Sequence, residues 1–123
     1  MPKFATWEEN FASHAPNVQA AARALEAIIR AELPDVVVDY DPGNGLLAFG
    51  RSIKMRNLLF ALIPHGGWVN LQLADGALLP NPDGLIEGTG KRIRHVKVRS
   101  AAAAGTDRVR QVIRDQLGAG TGS

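Results

Sequence analysis

Five cations fall within nine residues of this 123-residue chain: Lys91, Arg92, Arg94, Lys97 and Arg99. Positive side chains at that density attract a phosphate, a carboxylate or an acidic partner surface. They also suit a solvated edge strand, which lysine and arginine protect from aggregation. Upstream, Trp68, Asn70 and Gln72 alternate with Val69, Leu71 and Leu73, so one aromatic and two amides share a strand face. An aromatic among amides and cations is a workable surface for a nucleotide-like or carboxylate ligand. Extended nucleic-acid binding is disfavoured, because one exposed aromatic is expected and the net charge is only +2.

Other chemistries find less support. Gly84 to Lys91 misses the phosphate-loop pattern, with Leu85 where the first glycine should stand and Arg92 where the hydroxyl should be. Thr89, Gly90 and Lys91 could still offer N–H groups and a charge to an anion, or simply turn the chain into a strand. The histidines, His14, His65 and His95, have no metal-ligand spacing, and no cysteine occurs to assist them. His65, before Gly66-Gly67, reads as a surface or capping residue. Ser13, Ser52, Ser100 and Ser123 lack a nucleophile-elbow context. Asp39 and Asp41 would share a strand face like a carboxylate dyad, although a turn approach explains them equally well. No cofactor and no metal site is expected.

These residues need a scaffold, and periodicity supplies one. Thr6 and Glu9 have capping-box spacing for a short helix over 7–13, on which Trp7 and Phe11 share a face. Val18, Ala22, Leu25 and Ile29 mark an amphipathic helix over 17–32, ended by Leu33-Pro34. Strands follow at 36–40, 46–49 and 55–63, then at 68–73 after a Gly66-Gly67 hairpin expected to use positive φ, and last at 92–99. Ile93 is out of phase with Val96 and Val98, which signals a bulge or a late strand start. Residues 74–90 form a long loop that could hide a short helix, with Leu85-Ile86 packing as a lid. A final helix over 106–117 is capped by Thr106-Asp107 and stopped by Gly118. The reading is α+β: a two-layer sandwich in the order helix, five-stranded mostly antiparallel sheet, helix. Residues 1–16 form a lead-in, 17–118 a single domain, and 119–123 a frayed tail. The open face should hold Trp68, Asn70, Gln72, His95, Lys97 and Arg99.

The helix ending in Leu33-Pro34, the segments Asp41-Pro42-Gly43-Asn44 and Pro64-His65 to Leu71, and Gly88-Thr89-Gly90-Lys91-Arg92-Ile93-Arg94-His95 resemble the YdhG-like family of domains of unknown function. The resemblance runs from about residue 17 to residue 116. It implies a frataxin-like fold in small bacterial cytoplasmic proteins, one relative being regarded as an iron chaperone, and supplies no settled catalytic residues. Iron binding of that kind is associated with a dense acidic surface. Here Glu26, Glu32, Asp35, Asp39 and Asp41 are a thin set diluted by Arg23 and Arg30.

The chain lacks a signal-peptide run and a membrane-length apolar stretch, so a cytoplasmic location is the default. Residues 1–50 carry three Lys/Arg against seven Asp/Glu, so the excess of positive charge lies in the remainder. The function expected is a binding or carrier domain whose open, basic sheet face takes a small anionic ligand or an acidic protein partner. Trp68, Asn70, Gln72, Lys91, Arg94, His95 and Lys97 would hold it, under a flap formed by the 74–90 loop. A homodimer is left open. The alternatives are the iron chaperone that the resemblance implies and an enzyme acting on a small anionic metabolite.

Overall fold

The computed structural model describes residues 3–54 and 57–121, the last two without their side chains. Thr6 caps α1 (Trp7–Ala12), its Oγ1 accepting the Glu9 N–H at 3.2 Å. The Thr6 hydroxyl in turn donates to Glu9 Oε1, so the two capping side chains meet each other. Trp7 packs against Phe11 and against Tyr40, which docks α1 on the body of the protein. The second helix, α2 (Pro16–Glu32), takes Pro16 into its first turn, where proline's fixed φ is compatible and its missing N–H costs nothing.

The strands are β1 (Val37–Asp41), β2 (Leu46–Gly50), β3 (Leu58–Pro64), β4 (Val69–Leu73) and β5 (Arg94–Val98). They lie side by side in chain order, each neighbouring pair antiparallel, so the α+β class holds. The register shifts between Phe49 and Gly50, where β2 meets the start of β3. Part of the run expected before that strand, Met55 and Arg56, lies outside the described residues. β5 starts late because Ile93 stays outside it, 54% exposed. After it come a short helix that periodicity did not show, α3 (Ala101–Ala104), and α4 (Asp107–Thr121). α4 runs through Gly118, the expected stop: one glycine lowers helix propensity by about 1 kcal/mol without forcing an end.

α2 and α4 pack on the sheet centre and α3 on β5, giving two layers. Val69 pairs with Val98 and Leu71 with Val96, and these residues, like Leu73, are 0% exposed beneath the helices. No helix among the described residues is long and apolar enough to cross a membrane.

The connection from β4 to β5 is anchored at a few buried residues, while 80–84 and 87–93 are exposed. It contains the short helix that its length suggested, a 3₁₀ turn over Gly76–Leu78. Leu79 and Ile86 enter the core, so Leu85-Ile86 is no lid. Asn81 fixes Ile86 twice, accepting its N–H and donating to its carbonyl. Glu87 pairs with His95 as a bridge on the outer edge of β5, and Asp83 meets Arg108 of α4 at 2.9 Å. At the start of the loop, Asp75 Oδ1 accepts from Arg92 Nε at 2.6 Å. Asp75 also accepts from Gln116 Nε2, and its N–H donates to Gln116 Oε1. Gln116 is fully buried, so this three-residue lock is what satisfies its amide.

Two stability predictions follow from this packing. Leu71→Ala should destabilise by about 2–5 kcal/mol in chemical denaturation, as a core truncation; a near-neutral result would mean that this face is not the core. Asp75→Ala should cost roughly 1–3 kcal/mol, because it leaves a buried amide unpaired. Burial raises the Asp75 pKa, but the hydrogen bonds from Gln116 and Arg92 prevail and hold it below the ordinary carboxylate value. Stability from a depressed carboxylate is present above about pH 4 and lost as pH falls through the depressed value. The gap between wild type and Asp75→Ala should therefore shrink as denaturation is repeated from about pH 6 down to about pH 3.

Candidate anion-binding face

The alternation that buries the valines and leucines sends their neighbours to the uncovered side of the sheet. Asn70 lies opposite Lys97, and Gln72 opposite His95. Just before β4, Trp68 closes a two-residue turn, its carbonyl accepting the His65 N–H at 2.8 Å. Neither Gly66 nor Gly67 has positive φ, contrary to expectation, and a Cβ on either would meet nothing within 4 Å. The side chains flanking this turn are in contact. The His65 ring stacks on the Trp68 indole, centroids 5.1 Å apart and planes 21° from parallel.

From the β5 side, Lys97 Nζ lies 5.0 Å from the indole centroid and Arg99 Cζ 6.0 Å. His65 follows β3 and Arg99 follows β5, the two strands that flank β4. An exposed cation over an aromatic gains about 0.5–1 kcal/mol. Two like charges at one ring repel each other, and neither Lys97 nor Arg99 has an ion pair among the described residues. The first turn of α2 steadies the arrangement: Asn17 Nδ2 donates to the Arg99 carbonyl at 2.9 Å and to the Gly67 carbonyl at 3.3 Å.

A chain of side-chain hydrogen bonds runs from Trp68 through Asn70 to His65. The indole N–H of Trp68 can only donate, and it does so to Asn70 Oδ1 at 2.8 Å. Asn70 Nδ2 then faces His65 Nε2 at 3.1 Å and can only donate to it.

The face thus assembles Trp68, Asn70 and Lys97 and adds Arg99 and His65. Gln72 and His95 sit in the next cross-strand row. Arg94 does not join them. Its register partner is Leu73, so its side chain starts from the helix-covered side, and its Nε donates to the Gly90 carbonyl at 3.1 Å. The 3₁₀ turn covers it so closely that a Cβ on Gly76 would lie 2.7 Å from Arg94 Cβ. Lys91 is exposed on the loop before β5, away from the Trp68 end of the strand. The expected flap is also corrected, since the loop's apolar residues are held in the core and against α4. Concavities lie elsewhere: about 540 Å³ beside β1, α1 and α2, and about 350 Å³ between the loop and α4.

No family model matches the chain, and no curated protein or solved structure matches it. The face therefore stands on its own geometry. His65 is the functional candidate that periodicity missed. Its signal was the hairpin itself, because residues flanking a two-residue turn oppose each other across the strands.

The acidic residues behave as turn and surface groups. Asp41 accepts the side-chain amide and the backbone N–H of Asn44, and these bonds, the side-chain one foremost, lower its pKa. Among the described residues no three His, Asp or Glu side chains gather as a metal site would require. Ferrous-iron calorimetry is expected to give no saturable micromolar binding. Tight binding that disappears in Asp39→Asn/Asp41→Asn would restore the iron reading.

Proposed function

We propose that this chain is a non-enzymatic binding domain whose open sheet face holds an anionic group at Lys97 and Arg99. One observation carries the reading: two cations that form no ion pair among the described residues both lie near the Trp68 indole, a contact that does not occupy their N–H groups. The bound group belongs to a small ligand or to an acidic segment of a protein partner. Gln72 and His95 extend the contact surface along the sheet. The reading favours binding over catalysis, because the groups around Trp68 are donors and the histidine that could act as a base is engaged with Asn70. The motif order that resembles the YdhG-like family is compatible with it and names no competing site.

Exposed charge contacts are weak individually and screened by salt, so affinity should be modest and should fall steeply with ionic strength. A Trp7→Phe background leaves Trp68 as the sole indole, and its fluorescence then reports binding of sulfate or a simple phosphate monoester. Lys97→Ala and Arg99→Ala should each weaken binding about tenfold, the equivalent of one charge-assisted contact of roughly 1.4 kcal/mol. Unchanged affinity in both variants would remove the site.

A further inference from the structure

We propose that the open sheet face is a self-association surface, on which two copies of this chain pack face to face about a two-fold axis running along β3. The proposal rests on the anion-binding reading of the same face and names the partner: the acidic group brought to Lys97 and Arg99 is Asp41 of a second copy.

The distribution of charge motivates it. β2, β3 and β4 contain no charged residue, so the charges within the sheet belong to its outer strands. Val38 pairs with Phe49 and Tyr40 with Leu47, on the helix-covered side, so Asp39 and Asp41 start from the uncovered side. One cross-strand row there runs Asp39, Ala48, Ala61, Gln72, His95. The next runs from Asp41 and Leu46 to Ile63, Asn70 and Lys97, Leu46 coming level with Ile63 because Leu47 pairs with Leu62. The second row is acidic at one end, basic at the other and uncharged between. Ala48 and Ala61 are buried yet stand outside the hydrophobic core cluster, beside the part-exposed Leu46 and Ile63. An apolar middle with a charged rim is the anatomy of a protein–protein interface.

Symmetry selects the arrangement. Two copies meeting face to face are related by a two-fold axis in the plane between them. An axis across the strands sets β1 over β1 and β5 over β5, like charge against like. An axis along β3 sets β1 over β5 twice. Ala61 and Ile63 then meet their own counterparts, and Asp41 faces the Lys97 end of the other sheet in both halves of the contact.

The groups this requires are free for it. Asp41 accepts hydrogen bonds from Asn44 but forms no ion pair among the described residues, and neither do Lys97 and Arg99. Arg99 follows β5 at the end of the sheet that also carries the β1–β2 turn, so it faces the same carboxylate. Glu87, in register with His95 at the outer edge of β5, puts a carboxylate beside that histidine. The row of Lys97, not the row of His95, therefore carries the charge contact. Five strands about 4.8 Å apart and five residues long present roughly 400 Å² in plan, so the contact buries on the order of 1,000 Å² in total, the size of a weak association.

Sedimentation of the intact chain at low salt should show a monomer–dimer equilibrium, weakened about tenfold between about 50 mM and about 500 mM sodium chloride. Asp41→Lys and Lys97→Glu should each self-associate about tenfold more weakly, since each sets like charges together twice. An equimolar mixture of the two should dimerise as wild type does, because a mixed pair has one lysine–glutamate and one lysine–aspartate contact. Asp41→Asn, which keeps an acceptor for Asn44, should weaken the dimer about threefold and shows that the effect is charge and not a lost turn. A monomer at every concentration up to about 1 mM, a dimer indifferent to these variants, or a mixture no better than its parts would overturn the proposal. Growth beyond the dimer would overturn the two-fold arrangement, since a head-to-tail contact does not close. Sulfate tests the underlying reading separately. Binding reported by Trp68 in Trp7→Phe/Asp41→Lys, and weakened when Lys97→Ala is added, would keep the anion face even if wild type proved monomeric. Its absence together with a monomeric wild type would remove both.

Discussion

Burial of five aliphatic side chains on adjacent strands decides what the other side of this sheet can present. Val69, Leu71 and Leu73 on β4, and Val96 and Val98 on β5, are inaccessible beneath α2, α3 and α4. A one-residue slip of either strand would expose its aliphatic residues and bury lysine, histidine or amides in their place. Burying an unpaired ammonium costs several kcal/mol, so the register is strongly specified. Asn70 and Lys97 are opposite one another because their neighbours must be inside.

The same economy of burial explains the long β4–β5 connection. An outer strand exposes unpaired N–H and C=O groups, a standing risk of association through its edge. Glu87 answers this at β5 by bridging to His95, and Leu79 and Ile86 anchor the segment in the core. The ends of the loop are held by polar bonds. Asp75 joins Arg92 to the buried Gln116, and Asn81 satisfies both backbone groups of Ile86. Such a segment stabilises an edge; it cannot also swing over the opposite face. The concentration of Lys91, Arg92 and Arg94 at its end is accordingly divided among different tasks, with Arg92 in the lock and Arg94 bonded to the Gly90 carbonyl.

On the open face the decisive feature is an imbalance between donors and acceptors. Cation–aromatic contacts lower the energy of Lys97 and Arg99 without occupying their N–H groups, as a carboxylate would. The indole is itself held by Asn70, and Asn70 by His65, so the positions of two charges depend on a chain of side-chain hydrogen bonds. Asn17, reaching from α2 to the carbonyls of Gly67 and Arg99, links that chain to the helical layer. The face is therefore preorganised although it lies at the surface, which limits the ordering cost of ligand capture.

Much of this was legible in the sequence. Strict alternation in Val69–Leu73 and Val96–Val98 separated the buried side from the polar one, the spacing of Val18, Leu25 and Ile29 marked α2, and Pro16 and Pro34 bracketed it. Period-two and period-3.6 patterns report which side chains seek burial, and they did so correctly wherever a segment was regular. What they could not report was contact between segments. The face from which Arg94 departs depends on its pairing with Leu73, and the fate of the loop depends on the Gln116 amide 41 residues away. His65 appeared as one polar residue before two glycines, yet only the closed hairpin sets its ring on Trp68, to which Lys97 and Arg99 also come near. Local patterning determined the elements and their inner and outer faces. Tertiary structure alone decided which cations converge, because charge and hydrogen-bond geometry act through space between residues that no periodicity connects.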